Sequence, residues 1–224
     1  MTTRPLVGLL GGTFDPIHLG HVAAAFAAWH ALGLDRVRLI VSARPPHRPD
    51  SPRVSEYHRL QMMRLAIDDA MAAGGLRLEV SDLEVRRDGP SYTYDTLQTL
   101  QAQGLTPLQM VFITGADAFA EIGTWHRYPE VLDQAHFAVI ARPGTNLASL
   151  DTRLPALASR MIGPPQFNDA VTPRIVLIEH DTPDVSSTEI RRRALVGASL
   201  DGLVSPSVAE YIAHHHLYRS DPTR

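Results

Sequence analysis

At 224 residues, with 44% hydrophobic and 20% charged side chains, the chain is long enough for one well-buried core. A formal net charge of -3 argues against a dedicated nucleic-acid binder, and no window approaches the apolar length of a membrane span. The sequence has no cysteine and no lysine, which excludes disulfides, thiolate catalysis, cysteine-ligated zinc, Schiff-base chemistry and a lysine clamp on phosphate.

Met1-Thr2-Thr3-Arg4-Pro5 leads into the first apolar run within a few residues, so no signal peptide is expected and a cytoplasmic enzyme is the default reading. Leu6–Leu10 reads as a strand, and Leu19–Leu32 as a helix ended by Gly33. Arg36–Ser42 is a second strand, followed by the proline-rich loop Ala43–Pro52. Ser55 is placed to N-cap a helix through about Ala73, with Leu60, Met63 and Ile67 on one face. Leu76–Val85 reads as extended, Tyr92–Gln103 as helical and Leu108–Thr114 as a buried strand. A helical region from Ala116 to about Gln134 carries a break near Gly123, and His136–Arg142 is the next strand.

Residues 143 to 173 hold five prolines and weak periodicity, which predicts a surface excursion with one helix, Leu147–Met161. Arg174–Glu179 is a strand. Ser186 and Glu189 have the spacing of a capping box, and Ser205-Pro206 opens a final helix with Pro at its first position. Repeated strand–helix alternation implies one α/β domain over residues 1–224, a parallel sheet with helices on both faces, and a helical C-terminal part from about 186. In such sheets, ligands bind beyond the strand C-termini at the topological switch point, where the loops after Leu10, Ser42 and Thr114 end.

The stretch Gly8-Leu9-Leu10-Gly11-Gly12-Thr13-Phe14-Asp15-Pro16-Ile17-His18-Leu19-Gly20-His21 carries most of the chemistry. An apolar strand stops at paired glycines, a short polar loop follows, and two histidines stand at i and i+3 where a helix begins. Glycines let a phosphate approach the backbone, and a helix start supplies free N–H groups and a positive dipole end. Neither the Gly-Lys-Ser/Thr of a P-loop nor Gly-x-Gly-x-x-Gly is present. A metal pair at His18 and His21 would want a third ligand, which no neighbouring residue marks, so phosphate contact is the favoured reading. Asp15 is read as a loop-closing hydrogen-bond acceptor. His214-His215-His216 reads as an exposed helix end, because consecutive helical positions diverge.

This loop resembles the His-x-Gly-His signature of the Rossmann-like nucleotidyltransferase superfamily. Further stretches select among its members: Pro45-Pro46-His47-Arg48, Pro90-Ser91-Tyr92-Thr93 with Asp95-Thr96-Leu97, Gly115-Ala116-Asp117, Trp125, Arg142-Pro143-Gly144, and Val185-Ser186-Ser187-Thr188-Glu189-Ile190-Arg191. Together they are similar to bacterial nicotinate-nucleotide adenylyltransferases, from Val7 to about Tyr218. The resemblance implies ATP and nicotinate mononucleotide as small-molecule substrates, with Mg²⁺ bridging the ATP phosphates rather than held by a protein metal site. Catalytic roles then fall to His18 and His21. ATP and phosphate contacts fall to Gly11, Gly12, Thr13, Phe14, His47, Arg48, Ser187, Thr188 and Arg191. The resemblance gives the nicotinate side to backbone N–H groups of Thr93 and His126 and to stacking by Trp125; Asp117, at the end of a buried strand, is read as a ribose acceptor.

Helical register allows only one of Arg191, Arg192 and Arg193 to face the site, and the resemblance selects Arg191. A lone tryptophan such as Trp125 is often core, and His47 and Arg48 alone would read as a solvated loop. Phosphopantetheine adenylyltransferase is the alternative within the enzyme class, and a nucleotide-binding regulatory protein is the alternative outside it. The sequence expects no nucleic-acid or membrane partner and does not specify an oligomeric state.

Overall fold

The computed structural model describes residues 5–46, 52–72, 74, 76–141 and 150–219. Seven strands, β1 (Val7–Gly12), β2 (Arg36–Val41), β3 (Leu78–Ser81), β4 (Met110–Gly115), β5 (His136–Ile140), β6 (Met161–Ile162) and β7 (Ile175–Ile178), form one sheet in the order β3-β2-β1-β4-β5-β7-β6. Every pairing is parallel. The expected α/β architecture with a parallel sheet is therefore present.

Side chains alternate along each strand, so the sheet feeds two cores. Leu10, Leu39, Val41, Val111, Ile113 and Ala138 face one, which is covered by α1 (Leu19–Leu32), α2 (Glu56–Ala72), α6 (Ser187–Leu195) and α7 (Pro206–His214). Val7, Leu9, Ile40, Met110, Phe112 and Phe137 face the other, beneath α3 (Thr93–Ala102), α4 (Ala116–Ala120) and α5 (Leu150–Arg153). Each fully buried Leu, Ile, Val or Phe contributes roughly 1.5–3 kcal/mol, so the two apolar faces dominate the stability of the sheet. Gly8 is part of this packing, because a Cβ there would stand 2.9 Å from both Leu34 and Val37.

Helix α1 has the bounds expected from the sequence, and Gly33 ends it in the left-handed region at φ 61°. Other expectations are corrected. The extended run Leu76–Val85 narrows to β3, because Asp82–Arg87 turns instead, with the Arg86 N–H on the Asp82 carbonyl at 3.0 Å. The strand expected from Leu108 begins at Met110, after a 3₁₀ turn over Pro107–Gln109 capped reciprocally by Thr106 and Gln109.

The helical region expected over 116–134 contains only the five-residue α4, with 3₁₀ turns at Ile122–Thr124 and Glu130–Asp133. Gly123 and Pro129 fall inside that stretch, and a proline supplies no N–H to continue a helix. Likewise the helix expected over 147–161 reduces to α5, because Pro155 follows it; a 3₁₀ segment and the unexpected short strand β6 complete the region. Residues 147–149 of that expectation lie outside the described residues.

Half of the expected capping box on α6 forms. The Ser186 hydroxyl accepts from the Glu189 N–H at 3.2 Å, whereas the Glu189 carboxylate is taken by Arg192 and Arg193. Those hydrogen bonds hold Glu189 down to a pKa of about 2. At α7 the cap comes from another helix: Asp69 of α2 accepts from the Ser207 N–H at 3.1 Å and its hydroxyl at 2.8 Å.

Candidate active site

The strand order reverses at β1, since the chain moves from β1 outward to β2 and later returns to the other side as β4. The crevice beyond the C-termini of β1 and β4 is thus the switch point where ligands bind in such sheets. A cavity of about 390 Å³ occupies it, lined by Gly11 and Gly12 of β1, Ser42 after β2, Thr114 and Gly115 of β4, and Ala141 after β5. Thr13, Phe14, His18, His21 and Ser187 line it as well.

The loop leaving β1 is held from behind by side chains of other elements. Arg59 of α2, 1% exposed, donates through Nη1 to the carbonyls of Thr13 at 2.8 Å and Ser42 at 2.7 Å. Arg191 Nη1 donates to the Asp15 carbonyl at 2.8 Å, and Ser187 Oγ donates to the Pro16 carbonyl at 2.9 Å. The loop carbonyls of Thr13, Asp15 and Pro16 are thereby bonded to donors supplied by α2 and α6. Engaging the carbonyls in this way favours a cavity face rich in N–H groups, which suits an anion. Phe14 sits at φ 49°, a left-handed conformation that a bulky residue keeps only when its surroundings over-determine it. Its buried ring lies edge-on to His21 at 4.9 Å.

His18 is the N-cap of α1 and His21 its third residue. The two imidazoles stack with centroids 3.7 Å apart, and His21 Nδ1 accepts from the His18 backbone N–H at 3.2 Å. An accepting Nδ1 carries no proton, so the neutral ring holds its proton on Nε2, a donor. The glycine between the histidines has a steric reason. A Cβ at Gly20 would lie 3.1 Å from His18 Nδ1 and 3.3 Å from the Pro183 carbonyl oxygen, pressing the ring out of place.

A second cavity of about 360 Å³ adjoins the first and shares Pro46, Ser91, Thr93, Ala118 and Trp125 with it. Trp125 is half-buried, edge-on to Phe112 at 5.9 Å, and faces both cavities, so it is a core residue and a cavity wall at once. His126 lines the smaller cavity and stacks on Tyr92 at 4.1 Å, while Thr93 opens α3 at the cavity wall. The N–H groups of a first helical turn have no intrahelical acceptor and point outward along the axis.

Ser91 fixes this wall to β2: its hydroxyl accepts from the N–H groups of Ala43 at 3.0 Å and Arg44 at 3.1 Å. Glu84, 5% exposed, lines the larger cavity and accepts from Thr96 Oγ1 at 2.6 Å. Burial pushes its carboxyl above the usual range, against the pull of hydrogen bonds from Thr96 and Ser91.

The structure thus brings Gly11, Gly12, Thr13, Phe14, His18, His21, Ser187, Thr93, Trp125 and His126 around one pair of cavities. Arg191 lies behind the loop, and Thr188 is exposed with its hydroxyl on Arg191 Nη2 at 3.1 Å. Asp117 is exposed on the first turn of α4, outside both linings. His47, Arg48 and the Arg142-Pro143-Gly144 stretch fall outside the described residues. Sequence reasoning missed Arg59, Glu84 and the bridging role of Ser91. Arg59 has a signal: it lies three, four, seven and eight residues before Met62, Met63, Ala66 and Ile67, on the face that is buried.

The profile of the cytidylyltransferase-like family matches residues 9–193. A curated relative from Pseudomonas syringae pv. tomato, named "Probable nicotinate-nucleotide adenylyltransferase", is 41% identical over 224 residues, covering 100% of this chain and 98% of its own. One of the same name from Pseudomonas aeruginosa is 39% identical over 214 residues, covering 96% and 97%. Among solved structures, Plasmodium falciparum nicotinic acid mononucleotide adenylyltransferase complexed with NaAD superposes with a TM-score of 0.71 at 19% identity, over 96% of this chain and 98% of that one. The last likeness concerns the fold, which is the Rossmann-like fold expected from the first loop. By the extent of the profile match and the identity to its full-length relatives, the chain belongs to the cytidylyltransferase-like family, in the group of nicotinate-nucleotide adenylyltransferases.

Proposed function

We propose that the protein transfers the adenylyl group of ATP to nicotinate mononucleotide, releasing pyrophosphate and forming nicotinate adenine dinucleotide, a step in NAD synthesis in the cytoplasm. The observation that carries this reading is the pair of joined cavities at the switch point. One is walled by a glycine loop and a histidine pair, and the other by Trp125, His126 and the start of α3. That arrangement suits two anionic substrates meeting at a shared wall. Among the described residues no helix is long and apolar enough to cross a membrane.

The reaction needs little from the protein beyond placement. The 5′-phosphate of the mononucleotide attacks the α-phosphorus in line, the new P–O bond forms as the bond to the β-phosphate oxygen breaks, and pyrophosphate leaves. A phosphate monoester is already anionic at neutral pH, so no protein nucleophile or strong base is required. Catalysis consists of positioning two polyanions and stabilising charge as it moves onto the leaving group.

In this reading His21 donates from Nε2 to an α-phosphate oxygen, and His18 contacts the α- and departing phosphates. Loop N–H groups from Gly11 to Phe14 bind the triphosphate together with Ser187 and, from the sequence, His47 and Arg48, while Arg191, bonded to Thr188, braces the loop from behind. Thr93 and His126 offer backbone N–H groups to the ring carboxylate and Trp125 stacks on the pyridine ring, whereas Asp117, outside both linings, is left without the ribose contact expected of it.

Among the described residues there is no group of three or more His, Asp or Glu placed to hold a metal ion, and Glu84 is the carboxyl group in the larger cavity's lining. The reading takes Mg²⁺ as entering with ATP; bound there, it would neutralise charge on the leaving pyrophosphate. The test is pyrophosphate release from ATP and nicotinate mononucleotide by the wild type and by His21→Ala. The reading expects turnover by the wild type and a fall in kcat of about 10²–10³-fold in the variant, the range for removing one preorganised donor. Wild-type protein that releases no pyrophosphate from this pair refutes it.

A further inference from the structure

The C-terminal turn reaches back to the phosphate loop. Tyr218 Oη donates to Asp15 Oδ1 at 2.9 Å, between residues 203 positions apart in sequence. Asp15 is 3% exposed, and its other oxygen accepts from the Arg53 N–H at 2.7 Å, on the segment that enters α2. Its own carbonyl is the one bonded by Arg191. A single buried residue therefore joins the glycine loop, the entry to α2, the start of α6 and the end of the chain.

Tyr218 is built for the contact. It sits at φ 64°, left-handed for a non-glycine residue, next to the buried Leu217, whose N–H is bonded to the Ile212 carbonyl at 3.0 Å. Burial and the neighbouring Asp15 charge push its hydroxyl well above the usual range, so it remains a donor. The contact also has an electrostatic consequence. Asp15 stands between Thr13 and His18, both of which line the cavity, yet it is not itself part of the lining. Held by Tyr218 and Arg53, its carboxylate is engaged outside the lining of the space assigned to a polyanion.

We propose that Tyr218, acting through Asp15, is a positioning residue for adenylyl transfer: it fixes the phosphate loop and keeps the loop's own negative charge engaged outside the cavity lining. The inference rests on the proposed function. It locates the effect on the ATP side of the site: Tyr92, Glu121, Thr124 and His126, which line the smaller cavity alone, are not among the partners of Asp15 or Tyr218, so nicotinate mononucleotide binding is expected to change little.

The experiment compares full-length wild type, Tyr218→Phe, Asp15→Ala and the double variant by pyrophosphate release, by calorimetric ATP binding and by thermal unfolding. Tyr218→Phe is expected to lower kcat about tenfold and to weaken ATP several-fold, with KM for nicotinate mononucleotide within about twofold of wild type. In the Asp15→Ala background the same change is expected to add nothing, because the residue it acts through is gone. An unchanged kcat and ATP affinity in Tyr218→Phe overturns the proposal. A parallel loss of both substrates together with Tm also overturns it, since that is the mark of a merely structural role. A full effect of Tyr218→Phe without Asp15 overturns the route through Asp15. Should Asp15→Ala fail to fold, Tyr218→Phe by itself still decides the positioning role. If nicotinate mononucleotide is not a substrate at all, the proposed function fails, while weakened ATP binding by Tyr218→Phe still supports the positioning role.

Discussion

Replacing Arg59 by Met tests whether the phosphate loop is held from behind. The side chain is 1% exposed, and one of its nitrogens bridges the Thr13 and Ser42 carbonyls at 2.8 and 2.7 Å. Met fills similar volume and bonds neither. A hydrogen bond from a charged donor contributes about 1.5–3 kcal/mol, so the pair amounts to roughly 3–6 kcal/mol. Removing a buried guanidinium also relieves its desolvation, which lowers its pKa and returns part of that sum. The net expectation is a loss of about 2–4 kcal/mol in urea unfolding. Because both carbonyls flank the cavity, kcat for pyrophosphate release should fall by about 10²-fold, the scale on which a displaced catalytic group is felt. Arg59→Lys should recover only part of both, since an ammonium lacks the planar fork. Stability and kcat that both match wild type in Arg59→Met would refute the argument.

Gly20→Ala should lower kcat by at least about tenfold with little change in KM for nicotinate mononucleotide, because the new methyl displaces the His18 ring; full activity would show that the ring can yield without cost. The folded-state pKa of His136 is lowered to about 4, chiefly by burial. The unfolded chain therefore binds the extra proton between about pH 6.5 and 4, so this contribution to stability is complete above the unfolded value and is lost as pH falls, by roughly 3 kcal/mol. His136→Gln should flatten Tm against pH in that window, and an unaltered slope would remove the assignment. Arg191→Ala should weaken ATP, whereas Arg192→Ala and Arg193→Ala, whose partner is the surface Glu189, should leave kcat and KM near wild type in the same assay. Equal losses from all three would point to a diffuse basic patch.

The legible parts of the molecule are those where one local signal decides. Paired glycines after an apolar strand, two histidines at a helix start and Gly33 at its end suffice to set out β1, the loop and α1, because each residue type has one favoured conformation there. The stretch from Ala116 to Gln134 is harder. Its apolar residues have helical spacing, but Gly123 and Pro129 divide it into 3₁₀ turns that carry Trp125 and His126 to the cavity rim. Contacts between distant segments leave no pattern in the sequence. Arg59 shares the spacing of the buried face of α2, but nothing local says that the turns after β1 and β2 present two carbonyls to it. The Tyr218 contact with Asp15 likewise exists only after the C-terminus has folded across α2 and the loop.

The central claim is that this site adenylylates nicotinate mononucleotide, and the choice between acid and amide tests it most directly. In the proposed site, the ring carboxylate would accept charge-assisted hydrogen bonds from backbone N–H groups near Thr93 and His126. The neutral amide of the nicotinamide form must turn its NH₂ toward a donor or find water. Measured side by side, kcat/KM for nicotinate mononucleotide should exceed that for the nicotinamide form by at least about 100-fold, since a mismatched buried polar group is rejected far more strongly than a missing methylene. Trp125→Ala should weaken both substrates and leave their ratio nearly intact. Equal use of the two mononucleotides by the wild type would contradict the account.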